Sequence, residues 1–420
     1  MRYSTLEEWL NWQETLHPEE IKLGLDRVSQ VLARLEFSQP NFIVVTVAGT
    51  NGKGSSVAML QSILLEAGYR VGTYTSPHLQ RYNERIQING QAVDDDALCE
   101  AFERIDQARG EILLTYFEFG TLAAIDIFQR SGIDIAILEV GLGGRLDAVN
   151  ILDADVALIT SIDIDHEKWL GSDRESIARE KAGILRAGKV AVCADPDTPR
   201  ALVEMAQQLG ATLYCLGRDF KIEMVPDGWY WQGVNGQKQL LPRPALIGDF
   251  QINNAAGALS VLEQLQENFP ELGSPGDEVI RRGLSKVSLP GRFQVIDDQP
   301  VKILDVAHNP QGAKVLAENL ARFPCSGQTR AVFAMMADKD IPAVIETMSG
   351  LVDSWYLASL PVPRAATARQ LDDFLGGQKT QIFDDVRVAL RTAVNDSDPD
   401  DRIVVFGSFY TVAAALLQTV

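Results

Sequence analysis

FIVVTVAGTNGKGSSVAML, residues 42–60, decides the fold. It opens on the β-branched run FIVVTV, turns through glycines, and then sets Val57, Leu60, Ile63, Leu64 and Ala67 at helical spacing. The reading is strand, loop, helix. The loop is Gly49, Thr50, Asn51, Gly52, Lys53, Gly54 and Ser55. Its glycines let successive amides face phosphate oxygens, the following helix adds its positive N-terminus, and Lys53 reaches the terminal phosphates. Ser55 or its neighbour can cap the helix or approach a metal. The loop departs from the common P-loop pattern in one respect, because Gly54 separates Lys53 from the hydroxyl residue.

The same alternation spreads outward from this stretch. RVGTYT (70–75), DIAILEV (134–140), DVALITSI (155–162) and KVAVCA (189–194) read as strands, with helical patterns between several of them. Thr5 reads as the cap of a helix over LEEWL, and a second early helix covers GLDRVSQVLARL. A further helix is expected to open at Ser172, with Glu175 completing a capping box. Strands alternating with helices imply parallel βαβ units, whose ligands bind beyond the carboxyl ends of the strands. Residues 211–250 are more irregular and include DGWYWQGVNG, read as a hairpin or meander; a helix is expected from Asn253 to Asn268. KVSLPGRFQVI (286–296) carries the proline and glycine of a handover between domains, and VKILDV, TRAVFAM, SWYLASL, QIFDD and RIVVFGSF then resume the alternation. The expected fold is α/β: an N-terminal P-loop-type domain over residues 1–290, with a mainly parallel sheet, and a smaller α/β domain over 291–420.

Composition narrows the function. The 420 residues exceed what one hydrophobic core usually supports. The net charge of −19 disfavours nucleic acid and anionic membranes as partners, so an anionic substrate must be held by local cations. Cys99, Cys193, Cys215 and Cys325 lack zinc or redox spacing and suit a reducing cytosol. The start MRYSTLEEWLNWQ has no signal-peptide core, and no run approaches the ~20 apolar residues that span a bilayer. A soluble cytoplasmic protein is expected.

The remaining motifs sit at strand ends. Glu139 closes a hydrophobic strand, where a carboxylate either holds Mg²⁺ beside phosphates or caps a loop. The following GLGGRLD offers Arg145 to an anion, with Asp147 to orient or pair with it. His166, in SIDIDHEKW, is either a metal ligand or a structural histidine. Lys181 reads by itself as a solvated helix lysine, since an ammonium near a metal would be repelled unless its charge were changed. Asn254, Arg292 and Asp305 could complete a nucleotide site or make interdomain hydrogen bonds; Ser408 could cap the last helix.

VAGTNGKGSS, TSPHLQRYNERI, YFEFGTLAA, ILEVGLGGRLDAVN, ITSIDIDHEKWLG, REKAGILR, LPGRF, DVAHNP, ADKD and VFGSFYTVA occur in this order. Together they closely resemble the bacterial dihydrofolate synthase/folylpolyglutamate synthase family of the Mur ligase superfamily, across essentially the whole chain. The resemblance implies an N-terminal ATPase domain and a C-terminal Rossmann-like domain, with catalysis between them and a monomeric enzyme. It implies that Gly52, Lys53, Gly54 and Ser55 hold ATP phosphates and that Asn254, Arg292 and Asp305 complete the nucleotide site. Ser76 and Glu139 would hold one Mg²⁺ and His166 a second, with Lys181 carbamylated as a ligand. Leu25, Arg27, Phe117 and Thr121 match segments shaping a pterin pocket, and His308 and Ser408 match positions associated with incoming glutamate. The implied substrates are dihydropteroate, reduced folates and L-glutamate, joined through an acyl phosphate; the alternatives are the polyglutamylating activity alone or another Mur-type amino-acid ligase.

Overall fold

FIVVTV emerges as strand β1, Ile43–Ala48, buried at every position after the first, in a computed structural model that describes residues 2–19, 21–35 and 39–417. The strands that share its sheet are β2 Val71–Tyr74, β3 Ile86–Ile88, β4 Gln91–Ala92, β5 Ile135–Glu139, β6 Val156–Ile159, β7 Val190–Cys193 and β8 Thr212–Cys215. Their order is β4-β3-β2-β5-β1-β6-β7-β8. Pairing is parallel from β2 to β8, and β3 and β4 add an antiparallel edge. Continuous apolar runs suit parallel strands covered on both faces. From β1 the chain crosses to β2, returns as β5 beside β1, and then passes to the other side as β6. The carboxyl end of β1 is therefore the switch point at which such sheets bind ligands.

A three-stranded antiparallel meander, β9 Lys221–Val225, β10 Gly228–Gln232 and β11 Lys238–Leu241, carries Trp229 and Trp231 inward. The helix Phe250–Asn268 starts three residues before the expected Asn253, so Asn254 lies inside it rather than at its start. The helix expected to open at Ser172 is capped by Asp173, whose carboxylate accepts from Ser176 N–H at 2.9 Å. An ionised carboxylate is the stronger cap beside the helix dipole.

Two compact units divide the chain: Met1–Ala245 with Gln251–Val287, and Leu246–Phe250 with Ser288–Val420. The second unit holds a six-stranded sheet of β12 Gln294–Asp298, β13 Val301–Asp305, β14 Thr329–Phe333, β15 Ser354–Ala358, β16 Thr380–Phe383 and β17 Arg402–Phe406. Its order is β12-β13-β17-β14-β15-β16, parallel except for β12. Phe293, Phe333, Trp355 and Phe406 anchor its separate core. Cys193 and Cys215, far apart in sequence, face each other across β7 and β8 as buried free thiols. Among the described residues no helix is long and apolar enough to cross a membrane.

Candidate active site

The loop after β1 is shaped by what crowds it. At Gly52 φ is +89°, and a Cβ there would lie 2.4 Å from Asn254 Oδ1. At Gly49 a Cβ would lie 1.7 Å from Thr160 Oγ1. Only glycine fits at either position. Asn254 Nδ2 donates to Gln251 Oε1 at 2.9 Å, and Gln251 Nε2 donates to Ser55 Oγ at 3.3 Å, so the helix Phe250–Asn268 is bonded to the helix Lys53–Glu66 behind the loop. Gln251 is fully buried and was not singled out by the sequence, where FQINNAA reads as ordinary helix. Ser55 accepts this bond and does not cap its helix; the cap is Gly52.

On its other side the loop meets the segment after β6. Thr50 N–H donates to Ser161 O at 2.7 Å, Thr50 Oγ1 donates to Asp163 O at 2.9 Å, and that hydroxyl accepts from Asp163 N–H at 3.0 Å. Thr160 Oγ1 donates to Asn51 O at 2.7 Å. The loop's backbone is thus held in place by bonds to the segment after β6.

Two lysines converge inside this frame. Lys53 Nζ donates to Gly49 O at 3.0 Å and Thr50 O at 3.1 Å, and Lys181 Nζ donates to the same Gly49 oxygen at 2.8 Å. Lys181 is only 3% exposed, which contradicts the solvated reading of the residue taken alone. Burial, and then the charge of Lys53, push its amine well below the usual lysine range, against the opposing pull of Asp165 and Asp147.

Glu139 ends β5 in register with Val47 of β1, is 5% exposed, and accepts from Ser76 N–H at 3.1 Å. His166 lies past β6, exposed, with φ +54°. Among the described residues no group of three or more His, Cys, Asp and Glu side chains is gathered to hold a metal. The Glu139 carboxylate and the Ser76 hydroxyl are hard oxygen donors of the kind Mg²⁺ takes, on residues bonded to each other, and that ion usually takes few protein ligands and completes its shell with phosphate and water.

The glycine loop after Glu139 behaves differently from the sequence reading. Arg145 pairs with Glu180, Nη2 to Oε1 at 2.9 Å, and not with Asp147. The Asp147 carboxylate turns inward, accepting from Leu142 N–H at 2.8 Å and Val149 N–H at 3.0 Å. Burial raises its pKa to about 6 despite those bonds. Phe117, in the first turn of the helix Tyr116–Ser131, covers Gly141 so closely that a Cβ there would lie 2.7 Å from the ring. Thr121 is buried and returns its hydroxyl to Phe117 O at 2.9 Å. Arg27 is bound to the buried Glu118 at 2.7 Å, and the half-buried Leu25 follows Gly24, whose N–H donates to Leu146 O at 3.2 Å. Phe117 therefore borders the 141–147 loop, the segment of Gly24 and Leu25 is bonded to it, and Thr121 and Arg27 are tied to the helix that carries Phe117.

In the second unit, Arg292 stacks over Phe409 at 5.1 Å, and Asp305 accepts from Phe293 N–H and Ala307 N–H, each at 2.8 Å. Burial raises the Asp305 carboxyl and Arg292 opposes it. His308 Nδ1 lies 2.9 Å from Val306 O, and Ser408 caps the last helix by accepting from Thr411 N–H at 3.0 Å.

A glycine loop held at a switch point, with a buried acid on the adjoining strand, stands where open α/β sheets bind their ligands. Residues 47–262 match the Mur ligase middle domain and residues 291–409 the Mur ligase glutamate ligase domain, which sets the class. A dihydrofolate synthase/folylpolyglutamate synthase of Escherichia coli K12 is 45% identical over 98% of this chain and 94% of its own length. The chain belongs to the dihydrofolate synthase/folylpolyglutamate synthase family. Its fold is similar to that of Escherichia coli FolC solved with DHPP and ADP (TM-score 0.93, 45% identity, 99% of this chain and 97% of the other). It is also similar to a Yersinia pestis bifunctional enzyme solved with AMPPNP and Mn (TM-score 0.91, 48% identity, 99% and 98%).

Proposed function

We propose that the chain joins L-glutamate to dihydropteroate, giving dihydrofolate, and to reduced folates, giving polyglutamates, with ATP activating the acceptor carboxylate as an acyl phosphate. The observation that carries the chemistry is the convergence of Lys53 and Lys181 on the Gly49 carbonyl, at the sheet's switch point. The substrates rest on kinship: a bifunctional relative 47% identical over 99% of this chain was solved with Mn, AMPPNP and L-glutamate, and FolC with DHPP.

In the first step a carboxylate oxygen attacks the γ-phosphorus and ADP departs. Lys53 and the amides of residues 49–55 would spread the charge that develops there. In the second, the neutral amine of glutamate attacks the acyl carbon, the bond to phosphate breaks, and the nitrogen gives up one proton, leaving an amide and inorganic phosphate. Asn254, Arg292 and Asp305 would hold the rest of the nucleotide. Leu25, Arg27, Phe117 and Thr121 would shape the pterin pocket beside Arg145 and Asp147, and His308 and Ser408 would receive glutamate. Ser76 and Glu139 would hold one Mg²⁺, and His166 with carbamylated Lys181 a second; bound there, the cations would neutralise phosphate charge. The lowered Lys181 pKa supports the carbamate, because CO₂ adds to a neutral amine and releases one proton. We read the enzyme as cytoplasmic, in keeping with its free thiols, and as a monomer.

The purified chain, given ATP, Mg²⁺ and L-glutamate, is expected to release ADP with dihydropteroate and, separately, with a reduced folate. Turnover with the folate alone would leave a folylpolyglutamate synthase, the name carried by a Lacticaseibacillus casei relative 31% identical over 94% of this chain. A requirement for a nucleotide-linked muropeptide would overturn the folate reading altogether.

A further inference from the structure

The segment from β6 to His166 is clamped from both sides, and one of its clamps lies outside the machinery described above. Both backbone groups of Ile162 are bonded to charged side chains. Its N–H donates to Asp195 Oδ2 at 2.7 Å, and its carbonyl accepts from Arg174 Nε at 2.8 Å. Arg174 Nη2 closes the ring by donating to the same Asp195 oxygen at 3.1 Å. Asp195 is 4% exposed, so this is a charge-assisted bond in a poorly solvated place. The next residue, Asp163, is tied through its N–H and its carbonyl to the Thr50 hydroxyl of the phosphate loop. Past these two anchors, Ile164 is exposed and His166 takes a left-handed backbone. Ile162 and Asp163 thus hold the histidine's segment on its N-terminal side, while on the other side the His166 carbonyl accepts from Trp169 N–H at 2.8 Å and Leu170 N–H at 3.1 Å.

Arg174 and Lys181 begin and end one helix, Arg174–Lys181. Seven residues apart, they fall within about 20° of the same helix face. One rigid element thus carries the lysine that enters the phosphate loop and the arginine that holds the segment bearing His166. We propose that Arg174 is a positioning residue, which fixes His166 relative to Lys181 so that both address one divalent cation. This rests on the reading of His166 and Lys181 as metal ligands. Residues that orient ligands from outside commonly change metal affinity by about 10- to 100-fold when replaced.

The test uses the full chain with Mn²⁺ as the probe, titrated by electron paramagnetic resonance in the presence of ADP. Arg174→Met is expected to weaken Mn²⁺ binding about tenfold, while ADP affinity measured with EDTA stays within about twofold because the Thr50 anchor persists. Arg174→Lys, which keeps the charge but cannot reach Ile162 and Asp195 together, is expected to fall between. Trp169, three residues after His166 and 45% exposed, gives a readout without metal. Its fluorescence, taken as the difference from Trp169→Phe, is expected to become more easily quenched by acrylamide in Arg174→Met. Asp197→Asn removes only the outer, 86% exposed partner of Arg174 and is expected to bind Mn²⁺ as the parent does. Should Arg174→Met not fold, Asp195→Asn opens the same ring and is read in the same way. Unchanged Mn²⁺ affinity in Arg174→Met and Arg174→Lys, with His166→Ala weakened, would overturn the positioning role alone. Unchanged affinity in His166→Ala as well would overturn the metal reading beneath it.

Discussion

At the scale of single residues, Lys181 shows what a sequence hides. A lysine in RESIAREK has every mark of a solvated helix charge, and the helix that bears it has a polar surface, but the side chain is buried against Gly49 O. Nothing in local spacing reports that contact, because the partner lies 132 residues away. Only the resemblance to a family suggested a buried role. The proposed carbamate makes a sharp prediction: Lys181→Ala should lower kcat about 100-fold or more, by analogy with the loss of a ligand or charge-stabilising group. Added short-chain carboxylates should restore part of the rate, and in the parent a ¹³C-bicarbonate label should give a carbamate resonance absent from the variant. A fully active Lys181→Ala would remove the carbamate from the mechanism. Asp147 carries a complementary lesson. The pattern GGRLD suggests an arginine-aspartate pair, but Arg145 turns to Glu180 and Asp147 is consumed by two loop amides. Short spacing brings two charges near each other in sequence without deciding which way each side chain faces.

At the scale of elements, the helix Lys53–Glu66 was legible because its loop and its apolar spacing agree. The same local agreement exposed β1, β5, β6 and β7, each a largely apolar run ending in polar residues, and β2, a buried VGTY between polar flanks. Strands β3, β4, β8 and β12 were not recognised as such, β3 and β4 being only three and two residues long. β8 is a four-residue edge strand, largely part-exposed, and β12 follows directly on the Pro290-Gly291 turn, so neither shows a clear period of its own. Two glycines near the ends of the helix Lys53–Glu66 now separate backbone strain from crowding. Gly68 and Gly52 have nearly equal φ, +90° and +89°, but a Cβ meets nothing within 4 Å at Gly68 and meets Asn254 at 2.4 Å at Gly52. Gly68→Ala is expected to cost about 1 kcal/mol of stability, the left-handed penalty alone, with ADP affinity unchanged. Gly52→Ala should cost twice that, about 2 kcal/mol, and weaken ADP about tenfold as the loop shifts away from Asn254. Denaturant melts and ADP titrations of the two variants check this. Equal ADP affinity in both would mean that the loop's shape does not govern nucleotide binding.

At the scale of the whole molecule, the two units have separate cores, and no single cooperative transition is required of them. Tryptophan placement makes the division measurable. Five of the six tryptophans, Trp9, Trp12, Trp169, Trp229 and Trp231, lie in the first unit, and Trp355 is the one in the second, buried beside Phe333 and Phe406. Subtracting the signal of a Trp355→Phe variant isolates the second unit, and the variant itself reports the first. Thermal melts followed in this way should give two midpoints. ADP with Mg²⁺ at about 100 times its Kd should stabilise the first unit by about 2.7 kcal/mol, since a ligand that binds only the folded state shifts the balance by mass action. Lys53→Met should remove that gain while leaving the Trp355 midpoint without nucleotide where it was, because Lys53 donates to Gly49 O and Thr50 O in the loop of the first unit and Trp355 is buried in the separate core of the second. The outcome separates two views of the loop. If ADP stabilises the Lys53→Met variant as fully as the parent, the grip on phosphate lies in the backbone amides and helix terminus, and the lysine is reserved for charge that appears only during phosphoryl transfer. If the gain disappears, Lys53 holds the ground-state nucleotide too, and its loss should raise KM for ATP together with lowering kcat.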